Sequence, residues 1–535
     1  VDRPDGGLNR LPRTVVAGLA TPPTAVIGLF VVVPATVLAV RTVDLGAARD
    51  VLFAGRTASL AWFTLWQAVV STVVSLAVGM VPAHLVARRR FRGVAAIRAL
   101  IVVPFMLPTV VTGAAFLALL PTTARGTWWA VVAAHAYVNV AVVVRIVGAA
   151  WETIPHDLIA AARTLGASSV QVARRIVAPL LLPAIAAAGA VVFAFSATSF
   201  GIVRILGDTG TSTIEAEVAR RALQYGDVGG AVVLSVAQLV VLAAVAGLAA
   251  RVRRRHATVL RGDATPTVPR RRPDRVRVAL GATVTTLVVA TPLAALTLMS
   301  LRVDGRWSTR AWTSWGAGEI RPGISLGIDP WASVRASVTT AIVATLLAVG
   351  IGTLAALAID EMRGRGRWLE VGAMLPLAVS GVTVGLGMLV TFAVPPIDWR
   401  GEWWLVPVGQ SLVGLPFVTR LVLGRLSVVD SDQRNAALLL GATPIRAWWE
   451  VVVRRVAPVL APAAALAAAV SLGEFGATTL LSRTGTKTLP LAIEGLLSRP
   501  GGLPRSQGLA LATMLMLATG TLVALAERST RARRP

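Results

Sequence analysis

Cysteine is absent from this 535-residue sequence, and histidine occurs four times, at scattered positions 84, 135, 156 and 256. Without thiolates or a histidine cluster, disulfide, redox and metal chemistry lack the residues they need. No Gly-rich loop ending in Lys-Ser/Thr, of the kind that cradles nucleotide phosphates, is present, and lysine occurs once, as Lys487. The chain is therefore expected to bind no cofactor and to carry no ATP site of its own. No carboxylate pair or His-Asp set gathers at the end of an apolar run, which leaves acid-base enzyme chemistry without its groups.

What is present is apolar. Hydrophobic residues make up 55% of the chain against 15% charged, and the mean hydropathy is +0.72, too high for a soluble protein of this size. An all-α polytopic membrane protein follows. Runs long enough to cross a core of about 30 Å fall near 15–40, 58–87, 94–120, 128–150, 177–203 and 228–250, then near 278–301, 331–358, 368–394, 403–427, 456–481 and 506–526. The first run follows Arg3, Arg10 and Arg13 as a signal peptide would, but exceeds a cleavable segment's length and reads as a retained helix.

The net charge of +26 would suit nucleic acid if it were gathered on one surface. It is not. About two-thirds of the 52 Lys and Arg residues fall in the short loops on the side of the N-terminus, the bias of loops facing cytoplasm and anionic lipid. No nucleic-acid partner is expected, and both termini are placed in the cytoplasm. Residues 251–277 hold ten Arg with Pro266, Pro269 and Pro273, and read as a basic cytoplasmic linker between a first domain, 1–250, and a second, 278–535. Trp62, Trp128, Trp129, Trp151, Trp331, Trp403, Trp404, Trp448 and Trp449 sit near run ends, where indole anchors at headgroup level.

The two domains are copies. Gly166 and Gly441 lie 275 positions apart, and the same offset carries Pro183 to Pro458, Ser196 to Ser471, Phe200-Gly201 to Phe475-Gly476 and Thr213 to Thr488. Upstream, Pro104 and Gly113 match Pro376 and Gly385 at 272. With six spans per copy the halves share one orientation, so an axis along the membrane normal relates them and a pathway between them is the natural consequence.

The most polar shared stretches fall between the fourth and fifth spans, at 152–178 and 428–455. In the first, Leu158, Ile159, Ala162 and Leu165 recur at helical spacing, Gly166 permits a sharp turn, and a second helix is expected through Val170, Val172 and Ile176 to Pro179, where the fifth span should begin. The product is a helix-turn-helix along the cytoplasmic face, a shape suited to a groove on a partner protein.

These residues carry a resemblance. Ala161, Ala162 and Gly166 with Ile176 and Pro179, and Ala436, Ala437 and Gly441, resemble the EAA loop of binding-protein-dependent ABC importer permeases of type I. The sequence is similar over nearly its whole length to fused iron(III) and thiamine permeases, through Ser199-Phe200-Gly201 followed by Thr213-Ile214-Glu215, and Gly473-Glu474-Phe475-Gly476 followed by Thr488-Leu489-Pro490. The first pattern leans toward the thiamine branch, and the second also resembles molybdate and sulfate permeases. It departs from the family at the leading Glu, which is Ala160 in one copy and Asn435 in the other, and Arg454 stands opposite Pro179. Docking would then rest on shape and on Arg163, Arg434 and Asp432.

The resemblance implies an importer subunit in a bacterial cell membrane. Two ATP-binding cassette subunits would dock at Ala161, Ala162, Gly166, Ala436, Ala437 and Gly441 and spend the ATP, while an extracytoplasmic substrate-binding protein delivers the solute. Glu474 is the conspicuous ionisable residue of a late span, facing the bundle interior or capping a break between Gly473 and Gly476; with Ser196, Ser199 and Ser471 it is a candidate for the pathway or its gate. The alternative, a proton-coupled secondary transporter of the major facilitator kind, shares twelve spans in two parallel halves but needs more intramembrane carboxylates.

Overall fold

A computed structural model describes residues 11–41, 45–208, 210–255, 272–315, 319–321, 324–325, 328–394, 397–399, 401–428, 431–483 and 487–531. The first half runs α1 (Arg13–Val40), α2 (Gly55–Arg88), α3 (Val94–Met106), α4 (Thr109–Leu119), α5 (Trp128–Glu152), α6 (His156–Thr164), α7 (Ser169–Ala197), α8 (Gly201–Leu206), α9 (Ile214–Arg220) and α10 (Val228–Val252). The second repeats the order as α11 (Asp274–Ser300), α12 (Pro330–Met362), α13 (Gly364–Leu377), α14 (Gly381–Thr391), α15 (Leu405–Leu426), α16 (Ser431–Leu439), α17 (Pro444–Gly473), α18 (Gly476–Leu481), α19 (Leu489–Leu497) and α20 (Gly502–Ser529). Among the described residues, ten of these helices are long and apolar enough to cross a membrane, and twelve spans result if each bent pair counts as one. Large apolar side chains left exposed line up along them, as Val69 and Val73 on α2 and Leu280, Val284, Leu287 and Val288 on α11, which is the stripe a lipid-facing helix presents.

Several spans expected to be straight are broken. α3 and α4 meet at 103°, and α13 and α14 at 105°. In the first pair Leu107 precedes Pro108 and is extended at φ −73°, ψ 144°, as the steric demand of proline on its neighbour requires. In the second no proline is needed: Val379 is extended, and the Ser380 hydroxyl accepts from the Thr383 N–H at 3.0 Å to start α14 afresh. The fifth spans of the two halves end at Ala197 and Gly473, short of the expected 203 and 481. They also begin earlier than expected. α7 runs unbroken from Ser169 through a π-turn at Ala173–Val177, so Pro179 lies inside it and the expected second arm of the turn is its first part. The supposed linker is narrower, since helix extends to Arg255 and resumes at Arg272; residues 256–271 lie outside the described residues.

Within each half α2, α5 and α7, or α12, α15 and α17, pack together. The first helix of each half does not join its own bundle. α1 packs on α12, α13 and α14 while touching α10 of its own half, and α11 packs on α2, α3 and α4 while also packing on α20 of its own half. The Tyr137 hydroxyl on α5 fastens this exchange, donating to the Val289 carbonyl of α11 at 2.9 Å. A cut near residue 260 therefore separates the sequence repeats but not the packed units.

The duplication reaches individual contacts. A Cβ at Gly113 would lie 2.8 Å from the Ile205 Cβ, and one at Gly385 would lie 2.8 Å from the Ala477 Cα and 3.2 Å from the Cβ of Leu480, the residue matching Ile205. The Ile214 N–H donates to Thr64 Oγ1 at 2.9 Å, and the Leu489 N–H donates to Ser337 Oγ at 2.6 Å, the matching pair in the second half. Gly385→Val should therefore destabilise the folded chain by about 1–3 kcal/mol, because the obstruction is backbone. Gly350→Ala, where a Cβ meets nothing within 4 Å, should be neutral or mildly stabilising. Thermal unfolding of the detergent-solubilised protein checks the pair; equal melting temperatures would contradict this packing.

Candidate functional site

The two duplicated polar loops close in the same way. Gly166 has φ +85° and Gly441 φ +88°, a left-handed conformation that only glycine adopts without strain. The Ala167 N–H donates to the Ala162 carbonyl at 3.0 Å, and the Ala442 N–H to the Ala437 carbonyl at 3.1 Å, the six-residue bond that ends a helix on such a glycine. The next helix then starts on a hydroxyl: Ser168 Oγ accepts from the Gln171 N–H at 3.2 Å, and Thr443 Oγ1 from the Arg446 N–H at 3.3 Å. The Ala-to-Gly spacing thus has a backbone reason in both copies. Ala161 and Ala436 face solvent, Ala162 and Ala437 are half-buried, and Leu165 and Leu440 stand out at 88% and 89% exposed. Leu165 was expected on the apolar face of its helix and stands bare instead; the signal for both leucines is an apolar side chain directly before each turn glycine.

Each loop is tied to the second span of its half by opposite chemistry. Arg88, at the end of α2, donates to the Ile154 carbonyl at 2.7 Å just before α6. Glu361, the matching residue of α12, accepts from Arg434 of α16 at 2.7 Å. Arg434, expected as a docking neighbour, is thus turned inward and nearly buried.

The broken spans converge on a cavity of about 370 Å³ between the halves. Phe105, the 107–109 bend, Phe195, the 198–201 break and Glu215 reach it from the first half; Pro376, the 379–382 bend, Phe417 and the 473–476 break reach it from the second. Ser199 and Glu474, which match each other across the repeat, both line it. Ser196 and Ser471 do not, being packed inside the fifth spans, where Ser196 Oγ accepts from Asn139 Nδ2 at 3.3 Å. Glu474 takes both of the alternatives open to it. Its carboxylate accepts from the N–H groups of Ala477 and Thr478 at 2.8 and 2.9 Å and from the Thr478 hydroxyl at 2.7 Å, starting α18 after the break. The same side chain borders the cavity.

Glu215 was placed outside the spans by its sequence neighbourhood, and the fold brings it to the wall. It is 1% exposed, and its Oε2 accepts from Gln238 of α10 at 2.7 Å. Burial pushes its carboxyl up to about 7, against the pull of Ser380 and Gln238 toward the ionised form. On α5, His135 and Asn139 line the cavity one helical turn apart. His135 Nδ1 lies 3.1 Å from Gln67 Oε1 and 3.3 Å from Ser71 Oγ.

At the ends of α7 and α17 remote from the glycine turns, Phe200 and Phe475 stack across the two halves, centroids 4.9 Å apart and planes 24° from parallel. Both rings also line a second cavity of about 50 Å³ that holds Arg204, Arg220 and Glu494 and none of the central acceptors. The pair thus borders both spaces. Beside it Arg204 of α8 reaches Glu494 of α19 at 2.9 Å, an ion pair between halves whose repeat-mates, Thr479 and Ala219, cannot form one.

A family model described as binding-protein-dependent transport system inner membrane component matches this chain twice, over residues 75–257 and 348–527. A thiamine transport system permease protein from Salmonella typhimurium strain LT2 is 26% identical over 501 residues, covering 87% of this chain and 88% of that protein. A putative 2-aminoethylphosphonate transport system permease protein from Salmonella paratyphi A is 34% identical over 199 residues, 37% of this chain and 74% of the relative. A molybdenum transport system permease protein from Mycobacterium tuberculosis is 33% identical over 171 residues, 29% of this chain and 65% of the relative. The double match sets aside the major facilitator alternative.

If the stacked rings separate the two spaces, replacing both as Phe200→Ala with Phe475→Ala should let sucrose leak several-fold faster from proteoliposomes, without added ATP, while each single variant leaks less. A double variant as tight as the parent would show that the seal lies elsewhere.

Proposed function

This chain belongs to the family of binding-protein-dependent transport system inner membrane components, as a fused two-copy ABC importer permease, and on that premise we propose that it carries a small solute of the iron(III) or thiamine type inward, driven through its two glycine-turned loops by two ATP-binding cassette subunits. It is a multi-pass membrane subunit of a transport system; the solute, the coupling role of the loops, the pair of ATPase subunits, an extracytoplasmic binding protein at the outer mouth and cytoplasmic termini are parts of the proposal.

One observation carries the reading: the same turn, with the same backbone bonds and the same bare leucine, occurs twice, each time between the helices that lead to the central cavity. An exposed Leu beside a rigid turn is a knob for an apolar pocket, and burying it contributes about 1.5–3 kcal/mol. Where the family's Glu is missing, at Ala160 and Asn435, docking rests on this apolar knob. Tethers at Arg88 and Glu361 pass a push on either loop to α2 and α12, which pack against α5 and α7 or α15 and α17. Closure of an ATP-loaded subunit pair draws the loops together and rocks the halves, parting Phe200 from Phe475 toward a loaded binding protein; hydrolysis restores the closed partition. Coverage of nearly the whole chain by the thiamine permease relative supports the solute class.

Leu165→Asp combined with Leu440→Asp should weaken association with the partner ATPase by on the order of 100-fold or more, each leucine contributing about 1.5–3 kcal/mol, and should uncouple ATP hydrolysis from uptake in proteoliposomes. Gly166→Asp with Gly441→Asp should do the same by opening both turns. Co-purification and ATP-driven uptake unchanged in both double variants would remove the coupling role from these loops.

A further inference from the structure

We propose that the central cavity is a binding site for an organic monocation carrying N–H or O–H donors, and that it selects such a solute over both an oxyanion and a bare ferric ion. The inference rests on the importer reading and narrows its substrate to one chemical class.

The walls contain no Arg or Lys among the described residues; their ionisable groups are Glu215, Glu474 and His135. The polar atoms left without a partner there are hydrogen-bond acceptors. Asn139 uses its Nδ2 on Ser196 Oγ, so the orphan atom is its carbonyl Oδ1. Gln67 uses its Nε2 on the Thr64 and Ser196 carbonyls, so its Oε1 is the group facing His135 Nδ1. That arrangement puts the imidazole proton on Nδ1 and leaves Nε2, which has no partner, as a lone pair. Ser199 Oγ is likewise unpartnered, a hydroxyl that can serve either way, while the Glu215 carboxyl lies beside Ser380 and Gln238. Asn139, His135 and Glu215 are only 1–2% exposed. Buried acceptors cost free energy until a donor meets them, and a ligand is what can bring one here.

An oxyanion would meet this wall acceptor to acceptor, with no guanidinium or ammonium to hold it. A bare trivalent iron ion needs about six oxygen ligands, as hard cations do. Both oxygens of Glu474 are already engaged by α18, and among the described residues no three His, Asp or Glu converge as a metal requires. An organic cation meets neither obstacle. It finds the rings of Phe105, Phe195, Phe200, Phe417 and Phe475 for its body and charge and acceptors for its donors, in a volume of about 370 Å³ that suits a small organic molecule.

The test is equilibrium binding to the full chain in lipid nanodiscs, with radiolabelled thiamine as the aromatic-cation probe and molybdate and ferric citrate as competitors. Thiamine should bind saturably, a 100-fold excess of either competitor should fail to displace it, Glu215→Gln should weaken it at least tenfold, and Ser199→Arg should abolish it. Saturable molybdate or ferric binding by the parent, no saturable binding of thiamine, or thiamine affinity unchanged in both variants overturns the proposal; elution volume and melting temperature identify a variant that has not folded, leaving the other to decide. If ATP hydrolysis responds to Leu165 and Leu440 but the cavity prefers molybdate, this inference alone falls. If thiamine binds with the stated selectivity but no partner ATPase couples to the loops, the importer reading falls instead.

Discussion

Hydrocarbon offers a backbone no hydrogen-bond partner, and so the interruptions of the spanning helices govern everything else in this molecule. A span can break only where protein shields the freed amides or a cavity wets them. All four central breaks, at 107–108, 198–200, 379–380 and 474–475, border one cavity. Side chains supply what the lost helix turns withheld: the Glu474 carboxylate serves the amides of α18, Ser380 begins α14, and Thr64 and Ser337 each take an amide at the start of a short helix on the far side of the break. Ser380 and Glu474 do both at once, starting a helix and bordering the cavity.

Duplication set the frame, and fusion let its halves diverge. Backbone geometry is nearly identical at the glycine turns and at the close contacts of Gly113 and Gly385, because any change there strains the chain. Cavity side chains are under no such constraint. His135 stands opposite Gln410, Ser199 opposite Glu474, Glu215 opposite Pro490 and Asn139 opposite Gly414. One wall is thus rich in unpaired acceptors while the other spends its carboxylate on its own helix. A homodimer of single copies could not make that distinction.

Exchange of α1 and α11 ties the halves together at their outer flanks, while α4, α14, α9 and α19 meet near the centre. A movement that separates Phe200 from Phe475 must therefore rotate the halves about a joined periphery, which favours rocking over dissociation. The two glycine-turned loops, anchored by Arg88 and Glu361, lie at the opposite end of the same helices.

Much was legible in the residues alone. Hydropathy determined that the chain lives in a membrane, and the constant 275-residue offset determined a duplication. Ala162–Gly166 and Ala437–Gly441 announced their turns, since a left-handed glycine after an alanine helix is a local matter. What sequence could not carry was long-range. A straight run of apolar residues does not disclose a bend at Val379, because nothing but packing against the other half makes that bend tolerable. Glu215 lies between two apolar runs in the sequence, and only the folding of α9 carries it to the cavity wall, while Ser196, expected at the pathway or its gate, is packed inside α7. The exchange of first helices, the stacked aromatic pair and the one-sided set of acceptors depend on which surfaces meet, and that was decided only when the two copies closed on each other.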